Sequence, residues 1–249
     1  MKIILSPAMS FNPNARPSTN KPCSLDKTQD IISSLQKLSL EELQRLLACS
    51  ETLAEINFER YLDFFGQEQY RACEYFDGVA FKALDAQSLN TSQLEVLNNT
   101  LYILSGLYGA LKAFDGISAY RLELKTKLSI GAHKNLYEFW GENFYKAVSK
   151  DKPSSIINLA SKEYSKALEP YLKDECFVTC TFKTQVAQKL KVCSVAAKRA
   201  RGLMTRYITM HTISHWHDLV MFDWESYSYS DVHSNPQGKR PELVFIKQA

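Results

Sequence analysis

The sequence is poor in several features that mark specialised classes of protein. It contains 9 glycines and 8 prolines in 249 residues, which excludes a collagen-like or low-complexity chain. No apolar run reaches the roughly 18 to 20 residues of a membrane-spanning helix. The N-terminal apolar run, residues 3–5, is also much too short for a secretory signal. These absences predict a globular protein that works in the cytoplasm and has no membrane partner.

The cysteines lack the spacing of a redox pair or a zinc site. All six are scattered, and no Cys-x-x-Cys pair occurs. Cys176, Cys180 and Cys193 share one segment, but residues 177–179 alternate like a strand, which favours buried, unpaired thiols over a metal site. Because cytoplasmic thiols stay reduced, we expect no disulfides, no metal site and no cofactor.

The residues that are present suit a well-packed globular fold. An apolar fraction of 45% can supply a sizeable core, and the balanced charge excludes dominant disorder. No repeat and no Gly/Ser-rich linker divides the chain, so we predict one domain covering residues 1–249.

Local patterns predict a mixed α/β (α+β) fold, because strand-like runs alternate with helical periodicity without a regular βαβ rhythm. Two helix starts carry caps: Ser39 and Glu42 have the spacing of a capping box, and Asn90 precedes another helix. The clearest predicted strands are a first strand that ends before Ser6 and the runs 155–160, 177–182 and 242–246; the clearest helices are 136–148 and 195–208.

One long stretch of the chain contains no acidic residue. Between Glu175 and Asp218 there are seven Lys or Arg and no Asp or Glu, so this segment exceeds the net charge of +3 of the whole chain. Such an asymmetry is typical of a polyanion-binding site. The seven cations are Lys183, Lys189, Lys191, Lys198, Arg199, Arg201 and Arg206.

Four of these cations belong to the predicted helix 195–208. At helical spacing Lys198, Arg199, Arg201 and Arg206 fall within an arc of about 160°, and apolar residues occupy the other side. Gly202 falls inside the basic arc, at a cost to helix stability of about 1 kcal/mol relative to alanine. A close approach by a ligand or by another chain segment would explain this glycine. A solvated basic face is the alternative, but the acid-free context favours anion binding.

A second candidate for phosphate contact is the segment Gly106-Leu107-Tyr108-Gly109, which Lys112 follows. Two glycines three apart suit a tight turn whose backbone N–H groups can face a phosphate. The pattern is also typical of an ordinary turn. It lacks the Gly-Lys-Ser/Thr ending of a P-loop, which disfavours a nucleotide-hydrolysing enzyme.

Blocks of sequence spread along the chain match one known family. They include residues 4–8, 104–111, 120–123, 136–141, 157–161 with 163–164, 198–206 and 243–245. In these blocks the chain is similar to the YaaA family of bacterial peroxide-stress proteins, and the similarity runs from end to end. Two positions depart from the family pattern: Met9 stands where a lysine is usual, and Ala113 where a proline is common.

The resemblance implies a cytoplasmic protein that helps the cell survive hydrogen peroxide and is linked to limiting unincorporated intracellular iron. It also implies an α/β fold with a positively charged cleft, a helix–hairpin–helix-like element, and DNA binding without strong sequence preference. On this chain the hairpin maps to the glycine turn. The expected DNA-binding residues are therefore Gly106, Leu107, Tyr108, Gly109, Lys112, Lys198, Arg199, Arg201 and Arg206.

Two further hypotheses stay open beside a non-enzymatic DNA binder. The first is an enzyme that acts on a small anionic or nucleobase-like substrate in a polar pocket. No nucleophile–base pair can be named, and Arg121 paired with Glu123 or Glu163 suits a buried ion pair better than a catalytic role. The second is iron binding by His211, His215 and His217, which are compatible ligands but lack a dense cluster. The candidate pocket residues are Ser6, Tyr120, Arg121, Glu123, Asn158, Ser161, Glu163 and Tyr164.

Overall fold

The computed structural model describes residues 1–186 and 189–248. They form a central mixed β-sheet and the helices that pack on it. Buried apolar residues from the sheet and the helices form one continuous core. The strands are β1 (Lys2–Leu5), β2 (Tyr70–Arg71), β3 (Leu101–Ser105), β4 (Gly109–Lys112), β5 (Gly116–Ile117), β6 (Ser155–Leu159), β7 (Cys176–Val186), β8 (Lys189–Lys191), β9 (Tyr227–Tyr229) and β10 (Glu242–Lys247).

Helices of varied length cover the sheet, and short 3₁₀ turns lie between several of them. None in the described ranges is long and apolar enough to cross a membrane. The helices are α1 (Leu25–Leu35), α2 (Leu40–Leu47), α3 (Glu51–Leu62), α4 (Ala72–Tyr75), α5 (Val79–Leu84), α6 (Thr91–Thr100), α7 (Leu136–Trp140), α8 (Asn143–Ser149), α9 (Lys162–Ser165) and α10 (Ser194–Met210).

The main sheet has the strand order β4-β3-β1-β6-β7-β10-β9, with β8 paired to β7. Strands β3, β1, β6, β7 and β10 run parallel, whereas β4, β8 and β9 pair in the antiparallel sense. Parallel strands are covered on both faces, which explains why Ile3, Ile4 and Leu5 are all buried without polar alternation.

The strand order reverses direction between β1 and β6. From β1 the chain continues to β3 on one side, whereas from the adjacent β6 it continues to β7 on the other side. A crevice therefore opens outside the carboxyl ends of β1 and β6, because their following segments diverge. Such a switch point is the usual ligand position in open α/β sheets.

The predicted mixed α/β fold is confirmed, and so are its marked helix starts. Ser39 Oγ accepts from the Glu42 backbone N–H at 3.3 Å, and the Glu42 carboxylate accepts from the Ser39 N–H at 2.8 Å. Asn90 caps α6 in the same reciprocal way, with Gln93. The predicted helix 136–148 is wrong in one respect, because Gly141 at φ 48° ends α7 before α8 begins.

The cysteines are all unpaired, and their burial is more varied than expected. Cys73 and Cys180 are buried, Cys23 is exposed, and the other three are partly buried. Burial raises the pKa of the Cys180 thiol to about 12, so it stays protonated at neutral pH.

Gly202 lies on the buried side of α10, where this helix packs directly on α5. A Cβ at this position would collide with the backbone carbonyl oxygen of Ala80. Helical spacing places Gly202 inside the basic arc, whereas in the structure it is buried against α5. Of the two explanations for the glycine, close approach by another chain segment is the correct one.

We predict that Gly202→Ala destabilises the protein by about 3 kcal/mol, since the new methyl group must push α10 away from α5. Urea unfolding followed by circular dichroism measures this change. Val195→Ala is the matched control, because Val195 lies on the exposed side of the same helix. An equal effect of both substitutions would contradict the packing described here.

Candidate ligand-binding site

A cavity of about 510 Å³ lies at the carboxyl ends of β1 and β6, in the crevice that the strand order creates. Leu5 at the end of β1 and residues 6–10 after it form one side, while Gly78 and residues 79–81 of α5 form another. The remaining lining residues are Glu123, Leu159, Ser161, Glu163 and Tyr164, together with Lys198 and Arg201 from α10.

A pair of serines joins the two strand ends beneath this cavity. Ser6 directly follows β1, and Ser161 comes two residues after the end of β6. The Ser161 N–H donates to Ser6 Oγ at 2.8 Å, and the two hydroxyl oxygens lie 3.3 Å apart. These contacts fix the two loops relative to each other, so the shape of the pocket is set by the sheet.

Five of the eight candidate pocket residues line this single cavity: Ser6, Glu123, Ser161, Glu163 and Tyr164. The other three have structural contacts elsewhere. Tyr120 is buried with its hydroxyl 2.6 Å from Ser105 Oγ, and the backbone carbonyl of Arg121 accepts from the Tyr61 hydroxyl. Asn158 Oδ1 accepts from the Ala160 N–H at 3.1 Å and so closes the end of β6.

Lys125, which the sequence analysis missed, holds the two carboxylates of the pocket. Its ammonium lies 2.9 Å from Glu123 and 3.9 Å from Glu163, and its backbone N–H donates to Glu163 at 3.2 Å. The hydrogen bond with Glu123 raises the pKa of Lys125. The expected ion pair of Arg121 with either glutamate is therefore wrong, because Lys125 takes that place. The only signal in the sequence was its position two residues after Glu123.

Arg201 is mostly buried where α10 meets the pocket. Its Nε is shielded from solvent, and no acceptor in the described part of the chain reaches it. Burial lowers the pKa of its guanidinium. A buried donor without a partner costs about 1–3 kcal/mol, so an anion in the pocket that accepts from this Nε would remove a real penalty. Lys198, one turn earlier and exposed, adds a second positive charge to the same wall.

The other two cations of the helix are already engaged. Arg199 Nε donates to both carboxylate oxygens of Glu225 at 2.9 Å. Arg206 donates to the carbonyls of Leu84 and Asp85 at 2.8 and 2.9 Å, which ties α10 to the end of α5. The four cations of the basic arc therefore have two different roles. Lys198 and Arg201 line the pocket, whereas Arg199 and Arg206 make contacts that stabilise the fold.

The glycine turn 106–109 is buried between β3 and β4. The N–H groups of Leu107 and Tyr108 both donate to Ser105 Oγ, at 3.1 and 3.0 Å. The expectation that these amides face a phosphate is wrong, because they are satisfied within the core. The flanking elements are two strands, so a helix–hairpin–helix-like element is not found at this turn.

Lys112 is exposed at the end of β4, which is an edge strand of the main sheet. Strand β4 lies four positions from β7, on which α10 packs, or about 19 Å at the usual strand spacing. The turn and the basic helix therefore do not form one continuous site.

Two of the three histidines considered as iron ligands pack against aromatic side chains. His217 stacks on Trp216 with ring centroids 3.7 Å apart, and His211 packs on Tyr207 at 4.6 Å. Within residues 1–186 and 189–248 no group of three or more His, Cys, Asp or Glu is placed to hold a metal ion.

Comparison with known proteins identifies the family. The model of the family described as peroxide stress protein YaaA matches residues 1–233. This chain belongs to the YaaA family. It is 38% identical to a UPF0246 protein of Clostridioides difficile, over 91% of each chain. A UPF0246 protein of Lachnoclostridium phytofermentans is also 38% identical, over 99% of this chain and 96% of the relative. One of Ligilactobacillus salivarius is 36% identical, over 99% and 100%.

The departure from the YaaA pattern at Met9 falls inside the cavity, because Met9 is one of its lining residues. Its thioether therefore belongs to this wall, at the position where the resemblance implies a lysine. The second departure, Ala113, is buried after β4 and lies outside the cavity.

We predict that Tyr108→Phe lowers the free energy of unfolding by about 1–3 kcal/mol, since the buried Ser118 N–H donates to the Tyr108 hydroxyl at 2.9 Å and would lose its partner. DNA affinity and its salt dependence should stay unchanged. Tyr171→Phe, at a partly exposed tyrosine, is the control for chemical denaturation. Weaker DNA binding without loss of stability would show that the turn contacts DNA after all.

Proposed function

We propose that this YaaA-family protein acts in peroxide stress by binding DNA through the cationic surface around α10. One observation supports the proposal most directly: several Lys and Arg side chains of the acid-free segment make no ion pair within the described residues. In the described ranges Lys189, Lys191, Lys198 and Arg201 make no ion pair, in contrast to Arg199 and Arg206. Unpaired cations on one side of a molecule attract phosphates and release counterions on binding.

Chain connectivity supports a common surface for these cations. Strand β8 carries exposed Lys189 and Lys191, and only residues 192–193 separate it from α10. Lys198 lies one turn inside that helix and is exposed at the pocket mouth. Contacts to the phosphate backbone alone give binding without strong sequence preference. Under this proposal Lys112 and residues 106–109 do not contribute.

We predict that log Kd for a labelled duplex rises linearly with the logarithm of the salt concentration. Lys198→Met should reduce the slope of this line by about one unit, because one phosphate contact is lost. Fluorescence anisotropy at several salt concentrations measures both quantities. Lys37→Met is the matched control, because Lys37 is also exposed but lies far from the acid-free segment in the sequence.

Two results would contradict DNA binding by this surface. One is an absence of binding at low salt, or an affinity that does not respond to salt. The other is an equal effect of Lys198→Met and Lys37→Met, which would show that only total charge matters. Arg199→Ala should lower the slope less than Lys198→Met, since Glu225 already neutralises that guanidinium.

Protection of DNA is the link that we propose between DNA binding and peroxide resistance. A protein bound along the duplex would keep iron and peroxide away from the backbone, so free iron would do less harm. We predict that saturating protein reduces nicking of supercoiled plasmid by ferrous iron and hydrogen peroxide, measured by gel electrophoresis. The Lys198→Met variant should protect less at the same concentration. Equal nicking with and without bound protein would refute shielding.

A second candidate function is turnover of a small anionic or nucleobase-like substrate. It is favoured by the position of the cavity at the switch point of the sheet, because proteins with open α/β sheets usually bind their ligands there. Chromatography of deoxynucleosides and deoxynucleotides incubated with the protein tests it. A new product that depends on Ser161 would support turnover, and unchanged substrates would contradict it for this class.

A further inference from the structure

We propose that the cavity binds a single nucleoside 5′-monophosphate unit, with its phosphate at Arg201 and Lys198 and its base against the apolar wall. The cavity shares these two cations with the DNA-binding surface, but nucleotide binding there does not require that the protein bind duplex DNA. The inference combines three parts of the pocket that come from different elements: a cationic end, an apolar wall and a pair of carboxylates.

The cationic end has an unmet hydrogen-bonding capacity. Arg201 Nε is buried and has no acceptor, although the guanidinium lies at the cavity. A phosphate has several oxygens that accept charge-assisted hydrogen bonds, and arginine binds such groups with well-defined geometry. Lys198 supplies a second charge beside it, which suits a phosphomonoester that carries more than one negative charge.

The apolar wall is formed by two segments that face the same space. Pro7, Ala8 and Met9 follow β1, and Val79 and Phe81 belong to α5. Gly78 allows these segments to lie close together, since a Cβ at this position would lie 2.7 Å from the Ala8 Cβ. Apolar side chains of this kind can cover the flat face of a nucleobase, whereas inorganic phosphate would leave this wall unused.

The carboxylates define which base edge fits. Glu123 and Glu163 line the cavity and are held in place by Lys125. Ionised carboxylates only accept hydrogen bonds, so they favour bases with exocyclic amino groups. We therefore expect adenine, cytosine and guanine to bind better than thymine.

The size of the cavity agrees with a ligand of this class. A volume of about 510 Å³ lies within the range of roughly 300–1,000 Å³ that is usual for small-molecule pockets. The nucleotide could be free or could be a terminal or extruded unit of a DNA strand, because both present a phosphate next to a base. Competition experiments separate these two sources.

Isothermal titration calorimetry of the full chain tests the proposal with dAMP, deoxyadenosine, inorganic phosphate and dTMP. We expect dAMP to bind at least tenfold more tightly than deoxyadenosine or phosphate alone, since only dAMP occupies both the cationic end and the apolar wall. It should also bind more tightly than dTMP. Equal affinity for dAMP and phosphate would overturn the nucleotide assignment.

Variants locate the binding to this cavity. Arg201→Met and Lys198→Met should each weaken dAMP binding at least tenfold and leave deoxyadenosine binding nearly unchanged; Lys37→Met should change neither. Circular dichroism checks that each variant is folded. If Arg201→Met does not fold, exposed Lys198→Met still tests the phosphate end, and Glu163→Gln tests the base end through a smaller preference for dAMP over dTMP. Unchanged dAMP affinity in the folded variants would overturn the site.

Anisotropy with a labelled duplex separates this proposal from DNA binding. No heat with dAMP beside salt-dependent duplex binding would overturn nucleotide binding and leave DNA binding intact. Heat with dAMP without duplex binding would support the pocket and refute the DNA surface. If both occur, dAMP should displace the duplex in either case, because both ligands use Lys198 and Arg201. A 5′-phosphorylated deoxyadenosine dinucleotide that competes as well as dAMP identifies the terminal unit of a DNA strand as the occupant, and one that does not compete identifies the free nucleotide. Either result supports the pocket as a nucleotide site.

Discussion

The close packing of α10 on α5 is the contact on which the candidate site depends. Gly202 allows the α10 backbone to approach Ala80, which any larger residue would prevent. Because of this approach, Lys198 and Arg201 from α10 line the same cavity as residues 78–81. Arg206 reinforces the arrangement further along the helix through its hydrogen bonds to the end of α5.

Two independent features then meet at one place. The strand order opens a crevice outside β1 and β6, and the helix pair closes one side of it with positive charge. The hydrogen bond between Ser6 and Ser161 fixes the two loops that follow β1 and β6, and Lys125 holds the carboxylates of Glu123 and Glu163 in place. The buried Arg201 Nε retains a desolvation cost that the folded chain alone does not recover. A site with this charge distribution is suited to a ligand that has an anionic end and hydrogen-bond donors.

Part of this arrangement could be predicted from the sequence. Ser161 follows a buried strand, so its position at the carboxyl edge of the sheet followed from local pattern, and the family match covered residues 1–233. The turn at 106–109 was located correctly, but burial depends on the tertiary structure, and Gly-x-x-Gly does not encode it. Partners distant in the sequence also decided the outcome, as Glu225 did for Arg199 and Leu84 for Arg206. Helical periodicity groups cations on a face without showing which of them the fold neutralises.

The chemical shift of the Arg201 Nε–H group, in protein labelled with ¹⁵N-arginine, tests most directly whether the cavity binds an anion. If the cavity holds an anion at this guanidinium, adding dAMP should shift that resonance downfield, as a new acceptor reaches a donor that had none. The Arg199 resonance should stay in place, because Glu225 already accepts from its Nε. An unmoved Arg201 signal in protein saturated with dAMP would contradict the assignment of the cavity.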